Sequence, residues 1–529
     1  MHPRPNIVYF LVDDMGYGDA SCLNPDGKIP TPNIDRLAAA GMTFTDAHSS
    51  SAVCSPSRYS ILTGRYNWRS RLQQGIVPVY GEPLIDAERT TVPGLLKQHG
   101  YHTACIGKWH LGQGWDFPAD KDLFHPSTNF GPASRCETGR KATPAEQAAW
   151  QAAFSKPTTG GPTTRGFDTY FGVDVPNWPP YCFIENDRTV GIPSEWLPER
   201  LLGENQASTA GPAMPYWHFE QLLPTWAEKA ENYVAERSSA EEPFFLYMPM
   251  TSPHTPLSVN KQFIGKSGLN NLYADLVIET DHILGRVLDA LEQHGVADNT
   301  LVIFASDNGC AHYIGTFAEG RGDGEACMEA QGHYSSGPYR GYKSDAWDGG
   351  HRIPCIARWP SVIQSGSSCD ALVCLSDLMA TCADILGTPL PDDAGEDSVS
   401  MLPLFQQTCD TIRSTVVHHS GSGKFAIRDE RWKLVLCPGS GGWTYPDAEA
   451  AKAGLPLVQL YDMQIDPGER HNLQAEHPAK VRELLACLKE QVAAGRSTPG
   501  AAQANDVPVD IWKLDTMPDA DAPVSVTSW

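Results

Sequence analysis

Two acidic pairs in this sequence stand where a parallel sheet would present them to a ligand. Asp13-Asp14 closes the apolar run 6–12, and Asp307-Asn308 follows the apolar run 301–305. Both pairs would lie at strand carboxyl ends, where open α/β sheets bind their ligands. Four oxygen-bearing side chains with no soft ligand suit a hard divalent cation, calcium or magnesium, better than zinc. A turn or a helix cap is the competing reading for either pair alone. Lys108 and His110, two apart in an extended segment, would share one face and could enter one pocket. His254 follows the apolar run 244–248, and its imidazole can carry a proton near neutrality, as a general acid must.

Cys54-Ser55-Pro56-Ser57-Arg58 reads as the start of a helix, because proline in the first turn gives up only an amide hydrogen that the helix does not use. Cys54 would then sit at a helix N-terminus, where the backbone favours an oxyanion, with Arg58 in the same turn. A cysteine alone is more often a small buried apolar residue. Here its company is ordered. Asp13-Asp14 precedes it, and Leu62-Thr63-Gly64-Arg65, Gly107-Lys108-Trp109-His110, Pro253-His254, Ser306-Asp307-Asn308-Gly309 and Lys343 ahead of Asp348-Gly349-Gly350-His351-Arg352 follow. The set resembles the sulfatase family from about residue 5 to about residue 473.

That resemblance implies an alkaline-phosphatase-like fold and a cysteine that is a precursor. Cys54 would be converted to formylglycine by a formylglycine-generating enzyme, and the aldehyde hydrate would be the nucleophile. Asp13, Asp14, Asp307 and Asn308 would bind Ca2+, with Mg2+ as the other candidate, and modified Cys54 would also reach the metal. Arg58 would steady the hydrate, Lys108 would bridge nucleophile and sulfate, and Lys343 would hold the sulfate. His254 would protonate the departing alcohol, and His110 would take the proton that releases sulfate. The implied reaction is a double displacement in which one hydroxyl attacks sulfur and the second expels sulfate. Asp348 stands where many relatives have glutamate, a position expected to be structural.

For the alcohol part of the substrate, His312, His333, Arg340, His351, Arg352 and Trp178 lie in loops near the motifs, with Trp347 and Tyr181 beside them. Aromatic faces with polar donors suit a sugar ring, although ordinary loop packing is the better account of any one of them taken singly. The segment 339–352 looks like bacterial sulfatases acting on sulfated glycans, so a sulfated saccharide is the expected partner. A generalist arylsulfatase, a phosphonate or phosphodiester hydrolase and a non-catalytic glycan-binding relative are the alternatives. The 62–65 extension and the Lys108/His110 pair favour sulfate, and the retained Cys54 and metal ligands speak for catalysis.

The elements that would position these residues alternate. Helix-like segments at 33–40, 91–99 and 271–294 separate strand-like segments at 42–47, 101–106, 244–248 and 301–305, which argues a mainly parallel α/β sheet with helices on both faces. Residues 115–165 and 310–342, rich in Gly, Pro and Ser, read as loop excursions. From about residue 389 short strands at 425–428, 433–436 and 459–461 and a helix at 479–494 suggest a smaller C-terminal subdomain with a short antiparallel sheet. The expected division is 1–388, the catalytic domain, and 389–529, the subdomain with a peripheral tail after 499.

With 529 residues the chain exceeds one ordinary core. Its 40 basic and 63 acidic side chains give a formal net charge of −23, which argues against nucleic acid and anionic membranes as partners. The basic motif residues would have to reverse that field locally. No apolar run reaches the length of a membrane helix. Fourteen cysteines without paired short spacings exclude a small disulfide scaffold and a zinc ribbon, and buried free thiols are expected. Residues 1–5 lead straight into the first strand, so the protein would be cytoplasmic if Met1 is the native start, and periplasmic or secreted if a leader has been removed.

Overall fold

The computed structural model describes residues 4–117, 123–124, 140–201, 208–314, 327–447 and 454–513. Its centre is a ten-stranded sheet in the order Ser367–Cys369, Met42–Phe44, Cys355–Arg358, Thr300–Ser306, Asn6–Asp13, Phe244–Pro253, His102–Lys108, Thr169–Val173, Ile184–Glu185 and Arg188–Thr189. The strands from Thr300–Ser306 to Thr169–Val173 are parallel neighbours, whereas Cys355–Arg358 and the terminal hairpin run antiparallel.

The first strand shows why an unbroken apolar run was needed. Ile7, Tyr9 and Leu11 point into one core, and Val8, Phe10 and Val12 into the other. Both faces are covered, so no polar alternation is possible. Helices Pro32–Ala39, Leu222–Arg237 and Leu272–Gln293 fill one side, and Cys54–Thr63, Val92–Gln98 and Leu378–Leu386 the other. Asn271 starts the longest of them, its side-chain oxygen accepting the amides of Tyr273 (2.8 Å) and Ala274 (3.2 Å).

A separate antiparallel sheet, Val416–His419, Phe425–Arg428, Trp432–Val435 and Gln459–Asp462, packs with helix Pro478–Ala494. Met401, Leu404 and Phe405 still pack in the core beneath the large sheet, and Tyr66 and Trp68 from the N-terminal part enter the core of the small one. Residues 504–506 lie along this seam, with Arg65 bonded to Asp506 and to the Ala504 carbonyl.

Three expectations need correction. The run 42–47 is two strands, Met42–Phe44 and Ala47–His48, in different sheets. The excursion 115–165 contains helix Pro144–Phe154, opened by a reciprocal cap between Thr143 and Glu146. It forms because Trp150, Ala153 and Phe154 find partners in Tyr80, Phe124 and Trp196. Helix Leu222–Arg237, absent from the sequence reading, buries Leu222, Leu223, Trp226, Ala227, Ala230, Tyr233 and Val234. In the second excursion the described residues of 310–342 hold neither helix nor strand. Every described cysteine is a free thiol, and no helix of the described residues is long and apolar enough to cross a membrane.

Candidate active site

Parallel pairing of Asn6–Asp13 with Thr300–Ser306 sets Val12 against Ser306, so the two acidic pairs emerge side by side. The Asp307 amide donates to the Val12 carbonyl (3.0 Å), and the Asp14 amide to Asp307 Oδ1 (3.2 Å). Asp14 has φ of 68°, a left-handed conformation that aspartate tolerates better than most side chains. Gly309 permits the tight approach behind the pair, since a Cβ there would lie 1.9 Å from the Gly349 carbonyl oxygen.

Cys54 is the first residue of helix Cys54–Thr63, which ends at Gly64 with φ of 64°. Arg58, fully buried one turn on, ties the site together. It donates to Asp307 Oδ2 from Nε (3.0 Å) and Nη2 (2.8 Å), to Asp13 Oδ2 (3.0 Å), and to the Lys108 carbonyl (3.0 Å). Lys108 Nζ lies 2.6 Å from Asp13 Oδ2, and Lys343 Nζ 2.7 Å from each Asp14 oxygen. Asn308 Nδ2 donates to Asp14 Oδ1 (2.7 Å). Three cations thus meet three carboxylates in a buried site.

Those charges fix one another. Burial alone would raise the Asp13 carboxyl, but Lys108, His254, Arg58 and Lys343 outweigh it and hold Asp13 below the usual range. Burial works against Lys343, yet Asp14 keeps its ammonium well above the ordinary lysine value. Burial pushes the Cys54 thiol up to about 11 despite Lys108 and Lys343, so unmodified Cys54 is a neutral thiol and a poor nucleophile.

The histidines are oriented by carbonyls, which only accept. His110 Nε2 donates to the Val77 carbonyl (3.2 Å), leaving buried Nδ1 without a hydrogen-bond partner. Burial, then Lys108 and Arg58, hold His110 well below the ordinary value, so it is a neutral base. It has φ of 54°, beyond the end of strand His102–Lys108, so it reaches the site by a left-handed turn and not by sharing a strand face with Lys108. His254 Nδ1 donates to the Thr255 carbonyl (2.5 Å), which leaves Nε2, 3.7 Å from Asp14 Oδ2, to gain or lose a proton. Burial and Lys343 lower His254 to about 4 against the pull of Asp14 and Asp13.

Does this set fit a divalent cation? Asp13 Oδ1 and Asn308 Oδ1 are buried with no hydrogen-bond partner, and donor atoms of Asp13, Asp14, Cys54 and His254 lie within 4.8 Å of one another. An unpaired buried carboxylate oxygen costs free energy unless something positive meets it. The donor set fits a hard cation. Asp14 is the most committed of the four, with Lys343 on both oxygens and Asn308 Nδ2 on Oδ1, and Asp307 Oδ2 is occupied twice by Arg58.

The six residues considered for substrate recognition divide. Trp178 packs edge-on against His110 at 5.4 Å, and His312 lies in the field of Lys343. The other four are engaged in the fold. His333 bridges Asp19 (2.8 Å) and the Lys28 amide (3.0 Å), and Arg340 lies over Trp347 at 3.6 Å and donates to the Glu469 carbonyl. His351 stacks on His418 at 3.8 Å, and Arg352 holds Asp46 and Asp348. Trp347 is buried with its indole N–H on Gln459, and Tyr181 donates to backbone carbonyls. Proximity in sequence to a motif placed them next to the site's support, not in it.

Two groups escaped the sequence reading. Tyr313 feels Lys343, Asp14 and Cys54, with its phenol raised to about 12 by burial first. Asp174 follows strand Thr169–Val173; burial raises its carboxyl to about 7, Lys108 acts on it, and its Oδ1 has no partner. The available signal was the one used for Asp13 and Asp307, an aspartate at a strand's carboxyl end.

A mixed sheet with ligand groups at its parallel strand ends, and a small antiparallel sheet beside it, is an alkaline-phosphatase-like architecture. A solved phosphonate monoester hydrolase of Agrobacterium radiobacter shares that fold with a TM-score of 0.55 at 19% identity, over 92% of this chain and 96% of that one. The family model described as Sulfatase matches residues 5–388, and the chain belongs to the sulfatase family; it is a sulfuric ester hydrolase. It is 32% identical to an N-acetylgalactosamine-6-O-sulfatase of Bacteroides thetaiotaomicron, over 92% of this chain and 93% of that protein. Human N-acetylgalactosamine-6-sulfatase is 29% identical over 93% and 86%. A solved structure from work on glycosaminoglycan metabolism by Bacteroides thetaiotaomicron superposes with a TM-score of 0.73 at 30% identity, covering 92% of this chain and 99% of that one. The family generally uses formylglycine and a divalent cation.

Proposed function

We propose that this enzyme hydrolyses O-sulfate esters of a saccharide, with 6-O-sulfated N-acetylgalactosamine as the first substrate to try. The sugar comes from the names of its relatives. The observation that carries the sulfate reading is the pair of buried ammonium groups, Lys108 and Lys343, flanking Asp13 and Asp14 beside a helix that begins at Cys54.

Asp13, Asp14, Asp307 and Asn308 would hold Ca2+, with Mg2+ as the other candidate, and position 54 would carry formylglycine. Together these groups would supply a hydrated-aldehyde nucleophile and a Lewis acid for the sulfate oxygens. Cys54 is 1% exposed, so the modifying enzyme would have to meet it before folding closes the site. Lys108 and Lys343 would receive the sulfate oxygens, and Arg58 would fix position 54 against Asp13 and Asp307. Preorganised charges in a dry site need no reorganisation as charge develops; one such donor is worth about 10²- to 10³-fold in rate. His254, its Nδ1 held by the Thr255 carbonyl, would protonate the leaving alcohol from Nε2 once the negative charge of a bound sulfate ester raises it from its lowered value. His110, with Nδ1 bare, would take a proton at the release of sulfate. Residues 1–388 are read as the catalytic unit and 389–529 as a smaller unit bracing it.

A panel of defined sulfated mono- and oligosaccharides, with an aryl sulfate and a phosphonate ester alongside, tests this by sulfate release. Turnover of saccharide sulfates is expected; turnover of the aryl sulfate alone would reduce the assignment to arylsulfatase, and preference for the phosphonate would overturn it.

A further inference from the structure

An exposed tryptophan on the small sheet's side of the molecule is fastened to the segment that carries Lys343. Asp345 is fully buried, and its carboxylate accepts the amides of Trp443 (3.1 Å) and Thr444 (3.3 Å), the Thr444 hydroxyl (2.6 Å) and the Tyr342 amide (3.0 Å). The Ala346 amide donates to the Ser440 carbonyl (2.7 Å), and the Ser440 amide to the Pro446 carbonyl (2.8 Å). Gly442 comes so near Ser344 that a Cβ there would lie 2.4 Å from the Ser344 carbonyl oxygen. The backbone on both sides of Lys343 and the backbone of loop 440–446 are therefore one rigid piece.

On that piece Trp443 is 47% exposed and Tyr445 81% exposed. The Trp443 ring lies 6.1 Å from His312, and His312 lies in the field of Lys343. The indole thus stands beside His312 on the piece of backbone that carries Lys343, the ammonium proposed to hold sulfate. Two exposed side chains are far too small for a stable protein interface. A rigid indole, however, gives contact area at small cost in conformational freedom, which suits a flat, partly apolar ring.

We propose that Trp443 is the stacking platform for the sugar ring bonded to the sulfated one. This rests on the saccharide reading above. It assigns to the C-terminal unit a part in selecting chains over single sugars, which the Cys54 and metal motifs do not address.

The test compares wild type, Trp443→Ala and Trp443→Phe on a sulfated monosaccharide and on the disaccharide that extends it. For Trp443→Ala the disaccharide-to-monosaccharide ratio of kcat/KM should fall about tenfold, mainly through KM, as loss of one aromatic contact predicts. Trp443→Phe should recover most of the ratio. An unchanged ratio in a variant with the wild-type melting temperature would overturn the proposal, as would equal loss on both substrates. Should the wild type release sulfate from aryl sulfates and from no saccharide, the saccharide reading falls first and this inference with it.

Discussion

The molecule contains two buried ionic clusters of similar make-up, and they differ in what is left over. One is the site built on Asp13, Asp14 and Asp307 with Arg58, Lys108 and Lys343. The other lies between the large and small sheets: Asp46, Asp348 and Glu469 with Arg352, Arg428 and Lys433, around His48, His351 and His418. In the second cluster every carboxylate oxygen faces a cation, an imidazole or an amide, although Glu469 Oε1, 2.8 Å from Lys433, makes no hydrogen bond of good geometry. Asp46 meets His48, Arg352 and Arg428; Asp348 meets Lys433, Arg352 and Arg428; Glu469 meets Lys433 and the Asp348 amide. In the first, Asp13 Oδ1 and Asn308 Oδ1 have no partner. Composition does not separate the candidate site from the rivet; what differs is that Asp13 Oδ1 and Asn308 Oδ1 face no cation, whereas Glu469 Oε1 lies 2.8 Å from Lys433.

The three histidines of the rivet also offer nitrogens within 4.8 Å of one another, as a metal site would. Lys433 decides against that reading. Fully buried, its ammonium donates to Asp348 (2.8 Å) and His351 Nε2 (3.1 Å) and pairs with Glu469 at 2.8 Å. His351 Nδ1 lies 3.1 Å from His48 Nδ1, and His48 Nε2 lies 2.7 Å from Asp46 and 3.1 Å from Arg428 Nη1. Two cations, Lys433 and Arg428, thus border the imidazoles and oppose a metal ion among them.

The sharpest way to break this comparison is to strike both clusters and read both activity and stability. Cys54→Ala and Asp13→Ala should each reduce turnover below detection while the protein stays folded, the first because the nucleophile's precursor is gone. Mass spectrometry of the Cys54 peptide should show formylglycine in active preparations; full activity with unmodified cysteine would refute the mechanism. Chelation should abolish activity and added Ca2+ or Mg2+ restore it, with metal content near zero in Asp13→Ala.

The next effect separates the two active-site histidines. His254→Ala should slow sugar sulfates about 10²- to 10⁴-fold, the usual worth of a general acid, and slow activated aryl sulfates much less. His110→Ala should give a burst of alcohol followed by slow sulfate release in rapid-quench assays. Equal damage to both substrate classes, or no burst, would mean the roles are wrongly assigned. In the rivet, Lys433→Met should cost about 3–5 kcal/mol of stability, because it leaves buried Glu469 without its cation. Denaturant unfolding measures that, and KM should stay at the wild-type value.

Why was one cluster legible in the sequence and the other not? Cys54, Arg58 and Lys108 were read through the resemblance of their motifs to sulfatases, whereas Asp13-Asp14, His254 and Asp307-Asn308 follow strongly apolar segments, so the strand pattern placed them. The strands and long helices around them were legible for the same reason. The rivet draws Asp46, Asp348, Arg428, Lys433 and Glu469 from distant segments, and no local pattern marks such pairing. His351 and Arg352 were therefore read as substrate ligands when they belong to the rivet. Helix Pro144–Phe154 was hidden because its stability comes from tertiary partners such as Trp196, and Trp443 because an exposed aromatic in a loop has no period.

The smallest expected effect tests the rivet through protons. Burial, then His48 and Lys433, hold His418 well below the ordinary histidine value, and burial lowers His48 to about 4. Below pH 6.5 the unfolded chain takes up protons at these positions that the folded chain refuses, so their contribution to stability falls as pH falls and is constant above about 7. Carboxyls with raised values act in the opposite sense: burial lifts Asp281 and Asp345 to about 6 each, so their contribution is lost as pH rises through that value. The wild-type profile mixes both signs. His418→Phe isolates one, since it keeps a ring against His351 and gives up a single hydrogen bond to the Ser49 carbonyl. Its stability deficit relative to wild type should shrink on going from pH 7 to pH 5, with a slope no steeper than about 1.4 kcal/mol per pH unit for one proton. Urea melts of both proteins across that range measure it, and a deficit that stays constant or grows with acid would show that His418 is charged in the folded protein.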